Sequence, residues 1–133
     1  MIPAEFKEIF QLLLERSRER QVNWCKTANE SSYAVYMEEY SILLRQQEHD
    51  FEKVIYAISV LNERGSEVER FFVDEGEVAD YDLLSQLFSL ARRKAYNVDD
   101  AIKKIMKQLK GMSIVGKDIA QDDEDNKKSD LPF

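Results

Sequence analysis

The chain has 133 residues, a length that suits one domain whose core needs neither a disulfide nor a structural metal. Its formal net charge of -7 argues against nonspecific binding to a nucleic-acid backbone and favours a protein partner. The single cysteine, Cys25, excludes an intramolecular disulfide. Because there is no long apolar run and no secretory leader, we expect a cytoplasmic location and no membrane contact.

Apolar residues near the N-terminus recur at intervals of three and four. Phe6, Ile9, Phe10 and Leu13 follow this spacing, and acidic residues occupy most of the other side. The pattern predicts an amphipathic helix from about residue 3 to residue 20 that packs on a sheet. A helix lying on a membrane surface is the alternative, but the acidic polar side disfavours it.

Runs rich in Tyr, Val, Ile and Phe come next and predict an antiparallel meander of four strands, at residues 33–37, 40–44, 54–61 and 68–73. The third run carries apolar residues on both faces, so we expect it to be an interior strand that is covered on both sides. Gly65 lies in a turn signal between the third and fourth runs, which predicts that these two strands pair antiparallel.

Three single residues near the strands have both a functional and a structural interpretation. Trp24 is either a stacking or interface residue or, as we favour, a core aromatic that closes one end of the sheet. Cys25 could act as a nucleophile only with a base, and the only histidine is His49, which we place in a solvated loop at residues 45–52. We therefore predict no catalytic residues, no metal site, no cofactor and no enzyme activity.

Two helices are predicted after the strands. Asp80 is the expected N-cap of the first, whose apolar positions include Leu84, Leu87 and Phe88. The second ends at Gly111, and together the two helices should form a helical hairpin.

The predicted fold class is therefore α+β: an N-terminal helix, a four-stranded antiparallel meander and a C-terminal helical hairpin, with the helices on one face of the sheet. Tyr36, Leu43 and Ile55 should lie near the face that is left open. Such a face is a candidate for contact with a second copy, so a homodimer is one expectation.

The two C-terminal helices also hold the densest basic patch of the chain. A nucleic-acid surface is one interpretation of this patch, and solvated helix faces, which we favour, are the other. Its residues are Arg92, Arg93, Lys94, Lys103, Lys104, Lys107 and Lys110.

Helical periodicity is lost near residue 115, which predicts one domain at residues 1–115 and a flexible acidic tail at residues 116–133. From Asp118 onward the tail has six acids and two bases, a net charge of -4, which leaves -3 for residues 1–117. More than half of the net charge therefore lies in the tail.

The end of the tail, an acidic segment followed by Asp130-Leu131-Pro132-Phe133, resembles the C-terminal tip of bacterial single-stranded DNA-binding proteins. In that family the tip is a docking peptide for replication, recombination and repair enzymes. The resemblance implies that the tip residues bind a partner's apolar pocket and that the upstream acids Asp122, Asp123, Glu124 and Asp125 meet a basic rim. The resemblance covers residues 122–133 alone, and Lys127, Lys128 and Ser129 interrupt the acidic run there. The elements predicted for residues 1–115 do not match that family's OB-fold.

Three functional hypotheses follow from these features. The first is a non-enzymatic adaptor or modulator in bacterial or phage DNA metabolism that docks on genome-maintenance proteins through the tail. The second is an acidic inhibitor, such as a phage anti-defence protein, whose charged body blocks a basic channel. The third is a protein-interaction domain whose acidic tail only aids solubility.

Overall fold

The computed structural model describes residues 1–49 and 53–117. The chain divides into a first unit, Met1–Asp99, and a second unit that begins at Asp100. The described residues form three helices and a five-stranded antiparallel sheet, which confirms the α+β class. The tail from residue 118 onward lies outside the described residues, so its predicted flexibility and the domain boundary at residue 115 stay predictions.

The elements follow one another as α1 (Ala4–Arg18), β1 (Cys25–Lys26), β2 (Ser32–Tyr36), β3 (Ser41–His49), β4 (Lys53–Leu61), β5 (Glu67–Val73), α2 (Val78–Ala95) and α3 (Val98–Gly111). The strands lie in the sheet in their chain order, and every neighbouring pair is antiparallel. The sheet is therefore a simple meander, and the predicted antiparallel pairing around Gly65, whose φ is 82°, is confirmed.

Two strand predictions were wrong in detail. The sheet has five strands rather than four, because β1 pairs with β2 over only two residues and leaves no period-two pattern to read. β3 continues to His49, although residues 45–52 were predicted to be a loop. Pairing with β4 holds this polar extension in place, since Glu48 pairs with Val54 and His49 with Lys53.

One face of the sheet, called here the core face, is covered by α1 and α2. Tyr33, Leu44, Ile58 and Phe71 stand in one row across β2 to β5 on this face. The ring of Phe6 in α1 lies 5.0 Å from that of Phe71, and the ring of Phe88 in α2 lies 5.2 Å from that of Tyr33. Fully buried core residues include Phe10, Leu44, Ile58, Val73, Leu84 and Leu87.

The opposite face, called here the open face, receives neither α1 nor α2. Its strand residues alternate with those of the core face and include Ser32, Ala34, Tyr36, Leu43, Arg45, Gln47, Lys53, Ile55, Ala57, Ser59, Leu61, Glu67, Arg70 and Phe72. Tyr36, Leu43 and Ile55 lie on this face as predicted. β4 is an interior strand between β3 and β5, as predicted, and buried residues stand on both of its faces. Ala57 and Ser59 are each 1% exposed because they are small and stand between larger neighbours.

Trp24 is a core residue, which confirms the structural interpretation of this aromatic. Its side chain is 3% exposed, and the indole Nε1–H donates to Ser17 Oγ in α1 at 3.0 Å. The hydrogen bond satisfies the only polar atom of the ring, so the rest of the side chain can be buried without an unpaired donor.

Asp80 anchors the N-terminus of the chain. The prediction that it is the N-cap of α2 was wrong. The N-cap is Glu77, and Asp80 lies in the first turn, where it is only 4% exposed. Asp80 Oδ2 accepts the backbone N–H of Ile2 at 3.0 Å, and Lys7 Nζ lies 2.9 Å from Oδ1. The N-terminal ammonium of Met1 lies 2.6 Å from Glu77 Oε1, so the carboxylates of the N-cap Glu77 and of Asp80 in α2 hold the start of the chain.

These contacts decide the ionisation of Asp80. Burial is the largest single influence and would raise the pKa of the carboxyl, but the N–H of Ile2, the Lys7 ammonium and the N-terminal charge together lower the pKa below its ordinary value. A lowered folded-state pKa means that the carboxylate stabilises the fold above the unfolded pKa of about 3.9. This stabilisation is lost as the pH falls through the lower folded-state pKa.

Replacing Asp80 with alanine should lower the free energy of unfolding by about 2 to 3 kcal/mol at neutral pH, because hydrogen bonds to a buried charge are lost. Urea denaturation measures the change, and Asp82→Ala, an exposed acid on the same helix, should stay within about 0.5 kcal/mol of the wild type. The difference between the wild type and Asp80→Asn should shrink below about pH 4. A difference that is constant from neutral pH to about pH 3 would contradict a charged Asp80.

The two C-terminal helices are confirmed as elements, and each is described in its own unit. α2 ends at Ala95, and Asn97 has a φ of 53° just before α3 begins at Val98. Their packing as a helical hairpin stays a prediction. None of the helices in residues 1–49 and 53–117 is both long enough and apolar enough to cross a membrane.

Candidate protein-interaction surface

The predicted partner-binding residues of the tail cannot be placed, because they lie outside the described residues. They are Asp122, Asp123, Glu124, Asp125, Asp130, Leu131, Pro132 and Phe133. Their role stays a prediction that only the sequence supports.

The predicted basic patch is shared between the two units of the chain. Arg92, Arg93 and Lys94 end α2 in the first unit, and Lys103, Lys104, Lys107 and Lys110 are exposed along α3 in the second. Several of these charges have partners within their own unit: Arg93 pairs with Asp99, the Arg92 guanidinium lies 5.7 Å from the Tyr96 ring centroid, and Lys104 Nζ lies 3.2 Å from Asp100 Oδ2. The ion pairs partly neutralise the patch, as is typical of solvated helix faces.

The open face brings together polar side chains that are far apart in the sequence. The antiparallel register aligns Ser32, Arg45, Ala57 and Phe72 in one row across β2 to β5. The next row along the strands contains Ala34, Leu43, Ser59 and Arg70. Small residues in the middle of both rows let the longer side chains of Arg45, Arg70 and Phe72 lie over the sheet.

Glu67 is the acceptor at the centre of a polar cluster on this face. Its Oε2 accepts the Ser59 hydroxyl at 3.0 Å and the Arg70 Nε–H at 2.7 Å. The hydrogen bond from Arg70 is the largest influence on the pKa of the Glu67 carboxyl, which lies below its ordinary value, and Ser59 and the charge of Arg45 lower it further against the effect of burial. Glu67 is therefore an anion at neutral pH that interacts with the guanidinium groups of Arg70 and Arg45.

Two polar atoms of the cluster have no hydrogen-bond partner among the residues that the structure describes. One is Ser32 Oγ, on a side chain that is 2% exposed, and the other is the buried Arg45 Nε. Ser32 and Arg45 are cross-strand neighbours, so the two unpaired groups lie in the same row of the open face. Buried polar groups are nearly always paired in folded proteins, so this pair requires an explanation.

A shallow depression adjoins the same row. It has a volume of about 250 Å³ and is lined by Gln47, Glu48, Ile55 and Phe72. Phe72 is 48% exposed, and the Arg70 guanidinium lies 5.4 Å from its ring centroid. The open face therefore offers an apolar contact next to hydrogen-bond donors, which is the composition typical of protein interfaces.

Cys25 is exposed in β1, and its Sγ–H donates to the backbone oxygen of Asn23 at 3.6 Å. In the two described ranges, no group of three or more His, Cys, Asp or Glu side chains is placed to hold a metal ion. Neither observation adds a chemical role to the surface.

Comparisons with protein-family models, with curated proteins and with solved structures found no match for this chain.

Sequence reasoning missed the polar cluster of Ser32, Arg45, Ser59, Glu67 and Arg70. None of these residues stands in a motif, and Arg45 was assigned to a loop. The signal that could have found them is the pairing of β2 with β3, which places Ser32 opposite Arg45. That pairing becomes visible only when β3 is extended beyond Leu44.

We expect Arg45→Met to leave the free energy of unfolding within about 1 kcal/mol of the wild type, or to raise it, because an unpaired buried donor is replaced by apolar atoms. Urea denaturation measures this. The matched variant Arg70→Met removes a formed hydrogen bond to Glu67, so it should raise the pKa of that carboxyl towards its ordinary value in an NMR titration. If Arg45→Met lowers the free energy of unfolding by more than about 2 kcal/mol, Arg45 stabilises the fold itself.

Proposed function

We propose that this protein is a non-enzymatic adaptor or modulator in bacterial or phage DNA metabolism, and that its tail docks on genome-maintenance proteins. The observation that carries the proposal is the sequence of residues 122–133, in which four consecutive acids precede Asp-Leu-Pro-Phe after a short interruption. This order of charge and apolar groups resembles the docking tip of bacterial single-stranded DNA-binding proteins.

The physical basis of such docking is the balance between ordering a peptide and burying its end. Ordering each residue costs roughly 1 to 2 kcal/mol, and a fully buried Phe ring returns about 1.5 to 3 kcal/mol. A short peptide can therefore bind only if a few groups contribute most of the free energy. Phe133 is the principal anchor in this proposal, and Pro132 restricts the free chain before binding.

The acids upstream of the tip have a different role from the anchor. Asp122, Asp123, Glu124 and Asp125 are consecutive and carry the same charge, so they give the tail a concentrated negative charge. Such a charge speeds encounter with a basic surface and makes the affinity fall with salt.

The described part of the chain supports protein contacts more than nucleic-acid contacts. Ion pairs engage Arg93 and Lys104, whereas the open face exposes Tyr36 and Phe72 beside a polar cluster. Exposed aromatic side chains with adjacent arginine are enriched where proteins bind proteins.

The test is a titration of labelled peptides of residues 118–133 into a purified enzyme that recognises tips of single-stranded DNA-binding proteins. Phe133→Ala, or one residue appended after Phe133, should abolish binding. The substitution removes the buried ring, and the appended residue moves the terminal carboxylate away from the ring. Changing the four upstream acids to amides should weaken binding and flatten its salt dependence. Gln121→Ala lies outside the resembling segment and should bind as the wild type does.

Equal binding of the wild-type and Phe133→Ala peptides would contradict the proposal. The full chain then provides the second arm. If it binds a genome-maintenance or defence enzyme equally well with and without residues 118–133, the body is the active part and the acidic-inhibitor hypothesis is favoured.

A further inference from the structure

We propose that the open face carries a binding site for a carboxylate next to an apolar side chain, presented by a peptide segment of a protein partner. The site comprises Ser32, Arg45 and the depression beside Ile55 and Phe72. The inference goes beyond the tail-docking proposal, because it rests only on the first unit of the chain.

The first observation is the pair of unsatisfied donors. Ser32 Oγ and Arg45 Nε lie in one cross-strand row, and neither has a hydrogen-bond partner among residues 1–49 and 53–117. Both groups can donate, and an acceptor that bridged these buried atoms, once the atoms covering them move aside, would remove the penalty of leaving them unpaired. The ligand atom is therefore an acceptor, and an anionic one suits a guanidinium best.

The second observation is the charge of this face. The described strand residues on it include three cations, Arg45, Lys53 and Arg70, and the carboxylate of Glu67, and a second acid, Glu48, lines the depression. Glu67 is already engaged by Arg70 and Ser59. In a chain with a net charge of -7, this face thus has more cations than acids, and Arg45 interacts with Glu67 through its charge. One guanidinium and one hydroxyl match a carboxylate, whose two oxygens can each accept a hydrogen bond.

The third observation is the apolar depression beside these donors. On the open face, the cross-strand pair of Gln47 and Ile55 follows the pair of Arg45 and Ala57. The two pairs are about 7 Å apart along the strands. That distance corresponds to two residues of an extended peptide. An acidic residue bound at Arg45 would therefore bring a nearby aliphatic or aromatic side chain over Ile55 and Phe72.

The charge of the face also favours a partner's acidic peptide over a second copy packed face to face. In a two-fold contact the same patch comes from both copies, so a patch with more cations than acids would face another such patch. An acidic peptide reverses the sign of that interaction.

The test uses the full-length chain labelled with ¹⁵N and two matched probes, N-acetyl-phenylalanine and its C-terminal amide. The two probes share the ring and differ in the carboxylate. We expect the acid to shift the amide signals of Ser32, Arg45, Ala57 and Phe72 in a saturable way, and the amide to bind at least about tenfold more weakly, because it lacks the charge that Arg45 recognises.

Variants locate the site. Arg45→Gln and Ser32→Ala should each weaken binding of the acid, by about tenfold in the case of Arg45→Gln. Arg64→Gln, which removes the same charge from an exposed residue at the β4–β5 turn, should leave it unchanged. Ser32→Ala keeps the test decisive if Arg45→Gln fails to fold.

The inference is overturned if neither probe shifts these signals or if the acid and the amide bind equally. It is also overturned if the shifts fall on the core-face residues and helices, or if Arg64→Gln weakens binding as much as Arg45→Gln does. None of these outcomes bears on whether a tail peptide binds a tip-recognising enzyme, so the two proposals fail separately.

Discussion

The structure depends on the alternation of side chains along a sheet whose core face is covered by α1 and α2. Leu44 is fully buried between its cross-strand partners Tyr33 and Ile58, under α1 and α2. Because successive residues of a strand point to opposite faces, burying Leu44 forces Arg45 onto the other face. A slip of one residue would exchange these two side chains and place a guanidinium in the apolar core. The register that builds the core therefore also assembles the polar cluster of the open face.

Two separate features of this chain carry the two binding proposals. The tail combines clustered acids with an apolar end, and the open face combines unpaired donors with an exposed aromatic ring. Their charges are opposite in sign, so the partners that they select should also differ in charge. An adaptor needs two such non-equivalent surfaces if it is to connect two other molecules, and a single surface suffices for an inhibitor.

The sequence predicts the elements of this fold better than it predicts the candidate surface. Long periodic stretches identified α1, α2 and the apolar parts of β2 to β5, because burial of one face imposes the spacing. The polar end of β3 was missed, since Gln47 and Glu48 are held by pairing with β4 and not by burial. Asp80 was expected to cap α2, but local sequence cannot show that Ile2 and Lys7 come to its carboxylate. The row of Ser32 and Arg45 depends in the same way on contacts between distant residues.

The most direct test of this account compares two adjacent leucines of β3 by urea denaturation. Leu44→Ala should lower the free energy of unfolding by about 2 to 5 kcal/mol, because it leaves a cavity in the core. Leu43→Ala, on the open face, should cost about 1 kcal/mol or less, because its side chain is partly exposed to solvent already. Equal losses in the two variants would contradict the account, since they would show that Leu43 packs in a second apolar core on the open face.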